Sequence, residues 1–452
     1  MKKILFTLAL SIVGLTASAQ QEVKYVEMNL SECIAYAQEN SPLLLPLPAQ
    51  LERLEMDYQA ARSAFLPGLN AQIGQNFSFG RSQGRDFVYT NTSSANTSFS
   101  ISTDVPIFNG GQRWYQLKKS DAARATGDYT VRDVEDNIAL TVTQSYVQLM
   151  LAKQLAATAV ENLALTQKHL EQVKSQVEVG RAAPAQQIDI ESQLGRDQLA
   201  VTETAADVVR AYRILLLDMG FDPNKMQDGE IGFVELTPDE VIAKLEQVQP
   251  RQINPAWQLP ATAKLEKELE LSEYDVKIAK SALWPSLSLN GGYSNGYYYT
   301  FGEQNKALNQ PFANQMKDNG RYFVGLSLNI PIFNRGQVRR QIRMAELQQI
   351  NLRSQLIQKR ISDDRNILLA RTDLEKADEQ FRVARENVAL STRALEVADT
   401  QYTAGRISTY EWEQSKNRRL QAQASYLQAV YTRLLRTINL TYFNTGVIRT
   451  DW

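Results

Sequence analysis

The same stretch of sequence occurs twice in this chain of 452 residues. The segment Val105–Gln112 matches Ile330–Gln337 at an offset of 225 residues, with six of the eight positions identical. The dipeptide Gly180–Arg181 recurs as Gly405–Arg406 at the same offset. Self-similarity at a fixed spacing indicates that one supersecondary unit has been duplicated. Whatever one half folds into, the other half must therefore repeat.

Each repeat contains a long stretch that predicts a single helix. Residues 112–179 include no proline, and at 1.5 Å per residue a helix of that length would be roughly 100 Å long. Apolar residues recur in it every seven positions, at Val142, Leu149, Ala156, Leu163, Leu170 and Val177. The same pattern returns in the second repeat, at Ile367, Leu374, Phe381, Val388, Leu395 and Tyr402. A strict heptad predicts a coiled-coil seam, although the core of an ordinary helical bundle has the same periodicity.

Both long helices are predicted to end at a glycine and to turn back. Gly180 and Gly405 stand where a helix is commonly followed by a left-handed residue, usually glycine. Pro184 then suits the first turn of a new helix, and Ser408 with Glu411 forms the S-x-x-E pattern of a capping box. We expect return helices that run to about residue 217 and about residue 443. Each repeat thus contains a long helical hairpin.

Between the helices the sequence changes to a period of two. Apolar and polar residues alternate in two strands per repeat, within about 67–107 and 285–332, and the stretches 80–98 and 302–321 are polar and turn-rich. Such alternation over about ten residues is typical of a transmembrane β-strand, and Tyr297–Tyr299 would suit an interfacial aromatic girdle. Water-soluble hairpins alternate too. We expect four membrane strands joined by external loops, and hence an α+β membrane protein.

The number of strands per chain predicts an oligomer. Four strands cannot close a barrel, and lipid does not tolerate an open sheet edge. Eight strands from two chains would enclose an interior that side chains fill, whereas twelve strands from three chains leave a lumen. We therefore expect a homotrimer with a 12-stranded β-barrel.

The N-terminus has the features of a secretory signal peptide. Lys2 and Lys3 precede the apolar run Ile4–Leu15, and Ala17–Ala19 supplies the small residues of a cleavage site. The apolar run is too short to span a bilayer. Residues 1–19 are therefore expected to be removed on export, and strands are expected to do any spanning of the membrane.

Composition argues against several classes of function. Basic and acidic residues nearly balance, at 49 and 50, whereas a nucleic-acid-binding protein usually has a basic excess. The single histidine, His169, is expected on the surface of the long helix, where it has no companion for a metal site or a nucleophile. The single cysteine, Cys33, is expected to be a small buried residue. We predict that the protein is not an enzyme and binds no cofactor, metal or nucleic acid.

The order of these features resembles the TolC-type outer-membrane efflux protein family. The resemblance includes the segments Leu30–Ala35 and Asn40–Pro42, the pair Asn254–Pro255, the two Pro-Ile-Phe-Asn motifs and the two Gly-Arg turns. It implies a trimeric channel in the cell outer membrane whose β-barrel is continued in the periplasm by a long α-helical coiled-coil barrel. It also implies an iris-like constriction at the periplasmic tip of that helical barrel. It also implies two partners, a periplasmic adaptor (membrane fusion) protein and an inner-membrane pump such as an RND or ABC transporter.

By this resemblance the chain divides into five parts. They are the signal peptide 1–19, a first repeat 20–217, an equatorial linker 218–259, a second repeat 260–443 and a C-terminal tail 444–452. The linker is rich in Asp, Pro and Gly. It would belong to a belt around the middle of the helices.

The resemblance also assigns roles to residues at the tip. A constriction carboxylate six positions after the tip glycine corresponds to Glu411 in the second repeat and to Gln186 in the first. A second acidic position, nine after the glycine, holds Asp189 in the first repeat, and a latch tyrosine three before the glycine corresponds to Tyr402. Glu411 could instead serve only the capping box, and Tyr402 only the helical seam. The latch arginine of the family corresponds here to Ile407, with Arg406 one position earlier, so the resemblance does not assign a partner to the latch tyrosine.

The remaining tip residues are assigned to docking. The resemblance implies that a periplasmic adaptor docks at the two turns, which are formed by Gly180, Arg181, Gly405 and Arg406.

The expected function is export of small molecules such as drugs and toxic solutes through the outer membrane. The exit duct of a type I protein secretion system would have the same sequence features. A periplasmic coiled-coil scaffold or adaptor is the alternative of another class, although it usually has one hairpin and lacks the amphipathic strands.

Overall fold

The computed structural model describes residues 26–83, 87, 89–91, 93–222, 231–248, 254, 257–302 and 309–450. The predicted signal peptide, Pro255 and the last two residues of the predicted tail lie outside these ranges. No helix within the described ranges combines the length and the apolar character needed to cross a membrane.

The long helices have the lengths that the sequence predicts. In chain order the helices are α1 (Leu30–Asn40), α2 (Pro46–Ser63), α3 (Gln112–Glu178), α4 (Pro184–Asp218), α5 (Pro238–Leu245), α6 (Pro260–Ser281), α7 (Phe312–Asp318), α8 (Gln337–Thr403) and α9 (Thr409–Thr445). Helices α3 and α8 both contain 67 residues and begin 225 residues apart. The predicted rods, their return helices α4 and α9, and the duplication are all confirmed.

The heptad explains how the two helices of a hairpin pack. Helix α3 packs along α4, and α8 packs along α9. Five small or β-branched residues at seven-residue spacing are buried in α3, namely Ser145, Ala152, Ala159, Thr166 and Val173. In α8 the buried seam residues include Leu374, Ala377, Phe381 and Ala384. Small side chains let neighbouring backbones approach closely, which is the packing of a coiled-coil seam.

Eight strands are described, and the four longest form a sheet that joins the two repeats. In chain order the strands are β1 (Val26–Met28), β2 (Gly68–Ser78), β3 (Arg81–Gln83), β4 (Tyr89–Asn91), β5 (Ser94–Asn109), β6 (Ile231–Phe233), β7 (Ser286–Thr300) and β8 (Arg321–Asn329). Four of them pair antiparallel in the order β2-β5-β7-β8, and the ladder between β5 and β7 links the first repeat to the second. The prediction of two long strands per repeat is confirmed.

Two strand boundaries differ from the prediction. β5 begins at Ser94, because the ladder with β2 continues as far as the pair of Ser78 and Ser94. The loop predicted at 80–98 is therefore shorter, and the small hairpin of β3 and β4 lies within it. β8 ends at Asn329, short of the predicted end at about 332, because Pro331 has no backbone N–H with which to continue a ladder.

The second predicted loop, 302–321, contains a helix that covers a strand edge. β7 continues beyond its pairing with β8, which ends at Ser294. Over the remainder, Gln315 of α7 accepts a hydrogen bond from the Tyr298 N–H at 2.9 Å and donates one to the Tyr298 carbonyl at 2.9 Å. Asn309 makes the same pair of bonds with Thr300, both at 2.8 Å. These carboxamides imitate a neighbouring strand and satisfy backbone groups that the short β8 leaves uncovered.

The largest apolar core lies near the middle of the long helices. There Tyr146 of α3 donates a hydrogen bond to the Val234 carbonyl at 2.6 Å, and Tyr431 of α9 donates one to the Leu236 carbonyl. β6 pairs in parallel with β1, and α5 packs on α9. These contacts hold the described part of the predicted linker against the middle of the rods. Cys33 lies in the same core, fully buried as predicted, and burial raises the pKa of its thiol to about 12.

Candidate functional site at the helical tips

The two hairpin turns have the same hydrogen-bonded geometry. Gly180 and Gly405 adopt φ values of +73° and +70°, which L side chains rarely adopt. In the first turn the N–H of Arg181 donates to the Gln176 carbonyl at 2.8 Å, and in the second the N–H of Arg406 donates to the Gln401 carbonyl at 2.8 Å. Both turns are Schellman motifs, so the predicted glycine turns are confirmed. The two arginines follow the glycines and are exposed.

The return helix of the second repeat begins with the predicted capping box. The Glu411 N–H donates to the Ser408 hydroxyl at 3.3 Å, and the Ser408 N–H donates to the Glu411 carboxylate at 2.8 Å. The backbone and hydroxyl of Ser408 stabilise the charged carboxylate, and they lower the pKa of Glu411 below its ordinary value. The tip therefore carries an exposed, ionised carboxylate at neutral pH.

Tyr402 lies at the junction of the two hairpins. Its ring lies 4.7 Å from the His169 ring of α3 and 6.1 Å from the Trp412 ring of α9, measured between ring centroids. Its hydroxyl lies 3.4 Å from the hydroxyl of Thr409. The half-buried side chain thus packs within the chain, as the interpretation of Tyr402 as a seam residue predicts.

The first-repeat candidates lie on α4. Asp189 is exposed, and Gln186 is half-buried one turn nearer to the tip. Asp189 lines a polar groove of about 510 Å³ between α4 and α9, opposite Glu413. Burial raises the pKa of Glu413 above its ordinary value, more than the nearby Lys416 lowers it. The structure therefore brings Asp189 towards the second repeat, on a different helix from Glu411.

The prediction that His169 lies on the surface is wrong. Its side chain is 3% exposed and stacks on Trp412, with ring centroids 3.9 Å apart and planes 13° apart. The heptad of a single helix cannot reveal this burial, because α9 of the other repeat packs against α3 and covers the residue. Burial, and secondarily the positive charge of Lys416, lower the pKa of His169 to about 4. The imidazole is therefore neutral at the pH of ordinary growth.

Next to this aromatic contact is a buried polar cluster that the sequence analysis did not identify. We define it as Thr166, Gln193, Asp197 and Lys416, all of which are at most 5% exposed. Lys416 Nζ lies 3.1 Å from Asp197 Oδ2 and donates to the Thr166 hydroxyl at 2.5 Å. Gln193 donates to the other oxygen of Asp197 at 2.7 Å. The cluster joins α3, α4 and α9, and so it ties the first repeat to the second.

A seven-residue spacing relates the charged residues of the buried polar cluster to buried positions on their own helices. Asp197 follows the buried Ile190 by seven residues, and Lys416 follows the buried Thr409 by seven residues. A charged residue at a core position of a heptad commonly fixes which helices pair and in what register. Lys416 lies seven residues into α9, or roughly 10 Å from its start at 1.5 Å per residue. The polar cluster therefore lies close to the tip.

Two comparisons by sequence identify relatives. The profile of the family described as "Outer membrane efflux protein" matches residues 33–218 and, again, 258–443. The chain is 21% identical over 444 residues to the outer membrane protein TolC of Vibrio cholerae, covering 97% of this chain and 94% of the relative. It is 25% identical to the pyoverdine export outer membrane protein OpmQ of Pseudomonas aeruginosa, covering 89% and 81% of the two chains.

Solved structures share the fold. The crystal structure of CusC superimposes with a TM-score of 0.76 at 18% identity, covering 92% of each chain. The CmeC outer membrane channel of Campylobacter jejuni superimposes with a TM-score of 0.73 at 14% identity, covering 99% of this chain and 95% of the other. The two profile matches begin 225 residues apart, which is the offset of the internal repeat. The chain therefore belongs to the outer membrane efflux protein family and is an outer-membrane export channel.

Proposed function

We propose that three copies of this chain assemble into one duct, with a 12-stranded barrel in the outer membrane and a helical tunnel in the periplasm. The observation that carries this proposal is the state of the sheet in a single chain. Within the described residues, β2 and β8 each pair on one side only. Lipid does not tolerate unpaired backbone, so β2 of one copy would pair with β8 of the next.

The exposed side chains of the sheet support the same assembly. Val324 and Leu326 of β8 are 83% and 67% exposed, and Leu69 of β2 is 76% exposed. Water-soluble monomers rarely expose contiguous apolar patches of this kind, whereas the outer face of a membrane barrel is apolar. We assign these side chains to the lipid-facing surface.

The long helix α8 also has an apolar stripe that its own chain leaves exposed. Ile350, Ile357, Ile361 and Leu368 are each more than half exposed and lie on one face of the helix. They continue the heptad spacing outside the seam with α9. A second copy of the chain is the proposed occupant of this face, because coiled-coil contacts between copies would close the tunnel.

At the tip we propose that Glu411, Tyr402, Gln186 and Asp189 form the constriction. The ionised Glu411 supports this role because three copies would give a ring of negative charge, which attracts cations. Tyr402 would act from the junction between hairpins, where its bulk keeps the rods together. The capping role of Glu411 and its role in the constriction are compatible, since the box leaves the carboxylate exposed.

The two Schellman turns are the proposed docking points for partners. Gly180, Arg181, Gly405 and Arg406 form two similar exposed turns at one end of the rods. A periplasmic adaptor that contacts both turns would connect the duct to an inner-membrane pump of the RND or ABC type. We propose small molecules as the cargo, a proposal supported by the relative that is named for pyoverdine export.

Recording from planar bilayers tests this function. The purified protein should give discrete conductance steps that persist after the bulk protein is washed away. A periplasmic scaffold would give none, and carbonate would release it from native membranes. Failure to conduct, together with release by carbonate, would contradict the proposal.

A further inference from the structure

The only histidine of the chain, His169, is buried at the contact between the two repeats. His169 of the first repeat packs against two rings of the second repeat, Tyr402 of α8 and Trp412 of α9. Its Nε2 atom is buried and has no hydrogen-bond partner among the residues that the structure describes. A buried imidazole nitrogen without a hydrogen-bond partner costs free energy, and the cost is larger when the ring is charged. Exposure of the ring to water would remove this cost. The neutral ring therefore fits the closed contact, and the charged ring does not.

The charges that face His169 come from three other helices. On α9, Lys416 lies 5.9 Å from the Trp412 ring centroid, and Glu413 is half-buried nearby. On α8, Asp399 accepts a hydrogen bond from the Trp412 indole N–H at 3.2 Å. On α4, Asp197 is already occupied by Lys416 and Thr166. The electrostatic effect of Lys416 on His169 is larger than that of Asp399, so the surroundings oppose a second positive charge.

We propose that His169 is a proton sensor that loosens the contact between the α3–α4 hairpin and the α8–α9 hairpin, and so favours an open tip when the periplasm becomes acidic. This inference rests on the proposed channel function. Protonation would place a positive charge beside Lys416, in a site that cannot solvate it. Separation of the hairpins would expose the ring to water and relieve both costs.

The direction of the pH effect follows from linkage. Burial first, and Lys416 second, lower the pKa of His169 from 6.5 to about 4 in the closed contact. In an open tip the exposed ring would regain its ordinary pKa, so the open form binds the proton more tightly. The neutral His169 stabilises the closed form fully above pH 6.5, and this stabilisation is lost as the pH falls towards 4. Between pH 7 and pH 5 the ratio of open to closed tips should rise about 20-fold per subunit.

A distance measurement reads the separation without requiring conduction. Nitroxide labels on cysteines introduced at Ala182 and Ala404, in a chain diluted with an excess of unlabelled copies, would report the distance between the two turns of one chain. The native Cys33 is buried and stays unlabelled. We expect the population with a long distance to grow between pH 7 and pH 5. In His169→Phe, which keeps a ring against Trp412 but cannot titrate, the distance distribution should not change over this range.

Two further variants make the test decisive. His169→Gln replaces the ring by a neutral polar group, so it answers the question if His169→Phe fails to fold. Glu413→Gln removes a carboxyl group near this junction whose pKa is raised, and it should leave the response to acid intact. An unchanged response in both histidine variants, or no response in the parent protein, would overturn the inference.

Conductance recorded on the same samples separates this inference from the proposed function. A pH-dependent distance that His169→Phe abolishes, in a protein that never conducts, would support the sensor and contradict the channel. Conductance steps that do not depend on pH, together with a fixed distance, would support the channel and overturn the sensor. The open probability of the conducting parent should rise with the same pH dependence as the distance.

Discussion

The buried pair of Lys416 and Asp197 links α9 to α4 near the tip. Their side chains are 2% and 6% exposed, so neither charge has access to water. Desolvation of two charges costs about as much as their attraction returns, and such a pair adds little net stability over apolar residues. However, any packing that separates the two residues leaves a buried charge without a partner, which costs free energy. The pair therefore favours one register of α9 against α3 and α4.

Removal of one partner of the ion pair should be costly. Lys416→Met leaves Asp197 charged and buried, and we expect a loss of about 3–5 kcal/mol in the free energy of unfolding. The double variant Lys416→Met with Asp197→Leu should recover most of that loss, because it removes both charges. Denaturant unfolding in detergent, monitored by circular dichroism, measures the free energy of unfolding of the single and the double variant. A double variant as unstable as the single one would contradict the assignment of an ion pair.

Replacement of the tip glutamate tests its role in the constriction. Glu411→Gln keeps the shape and much of the capping interaction, but it deletes one negative charge per chain. We expect lower cation selectivity and weaker block by divalent cations in bilayer recordings, with little change in stability. Ser408→Ala is the matched control, since it should cost about 1 kcal/mol by loss of the cap and leave selectivity nearly unchanged. If Glu411→Gln destabilised the protein and left selectivity intact, capping would be its only role.

The residues of the tip differ in how well the sequence predicts them. Gly180, Gly405 and Glu411 act through neighbours within five positions, so their local patterns are sufficient. His169 and Lys416 depend on contacts between helices 250 residues apart in sequence, as in the bond from Lys416 to Thr166. A periodicity measured on one helix carries no information about which other helix covers it.

At the scale of elements, the continuity of the two long helices determines the length of the proposed tunnel. Ala159 and Ala384 lie in corresponding positions of α3 and α8, and both are buried in the seam. Proline at either position removes a backbone donor and clashes with the preceding turn, at a cost of about 3 kcal/mol or more. We expect both variants to lose assembly on native gels. Ala183→Pro is the control and should assemble normally, because Ala183 already has φ −77° at the start of α4. If all three proline variants assembled equally well on native gels, the long helices could not be continuous.

The strand β8 tests which face of the sheet meets lipid. Val324 and Ser327 lie on opposite faces, three positions apart. Val324→Arg should cost about 2–4 kcal/mol in lipid if its side chain points outwards near the middle of the bilayer. Ser327→Arg would point into the lumen and should mainly alter conductance. The free energy of unfolding from lipid vesicles compares the two variants. A larger loss for Ser327→Arg than for Val324→Arg would mean that Ser327, and not Val324, faces the lipid.

The strands also show where prediction from sequence stops. Alternation predicts the presence and the number of the long strands, because a period of two is a local property. It does not predict the covering of β7 by Gln315 and Asn309, since side-chain amides that replace a strand have no periodicity. The predicted loop at 302–321 therefore contains an ordered helix that the pattern alone does not indicate.

At the scale of the whole molecule, the duplication accounts for the fold of one chain and for the surfaces that the proposed assembly would cover. Each repeat supplies two strands and one long hairpin, and the sheet joins the repeats through β5 and β7. The polar cluster joins them a second time near the tip. A single chain therefore leaves two sheet edges, β2 and β8, and one apolar helical face, that of α8, for contacts with other copies.

The mass of the purified protein in detergent tests the central claim most directly. Light scattering corrected for bound detergent should give a protein mass of about 150 kDa, which is three chains of 51.0 kDa less their signal peptides. Because closure of the barrel supplies the missing strand pairs, the same particles should retain the full β-sheet signal in circular dichroism. A monodisperse particle of about 50 kDa with that β-sheet signal intact would contradict the assembly.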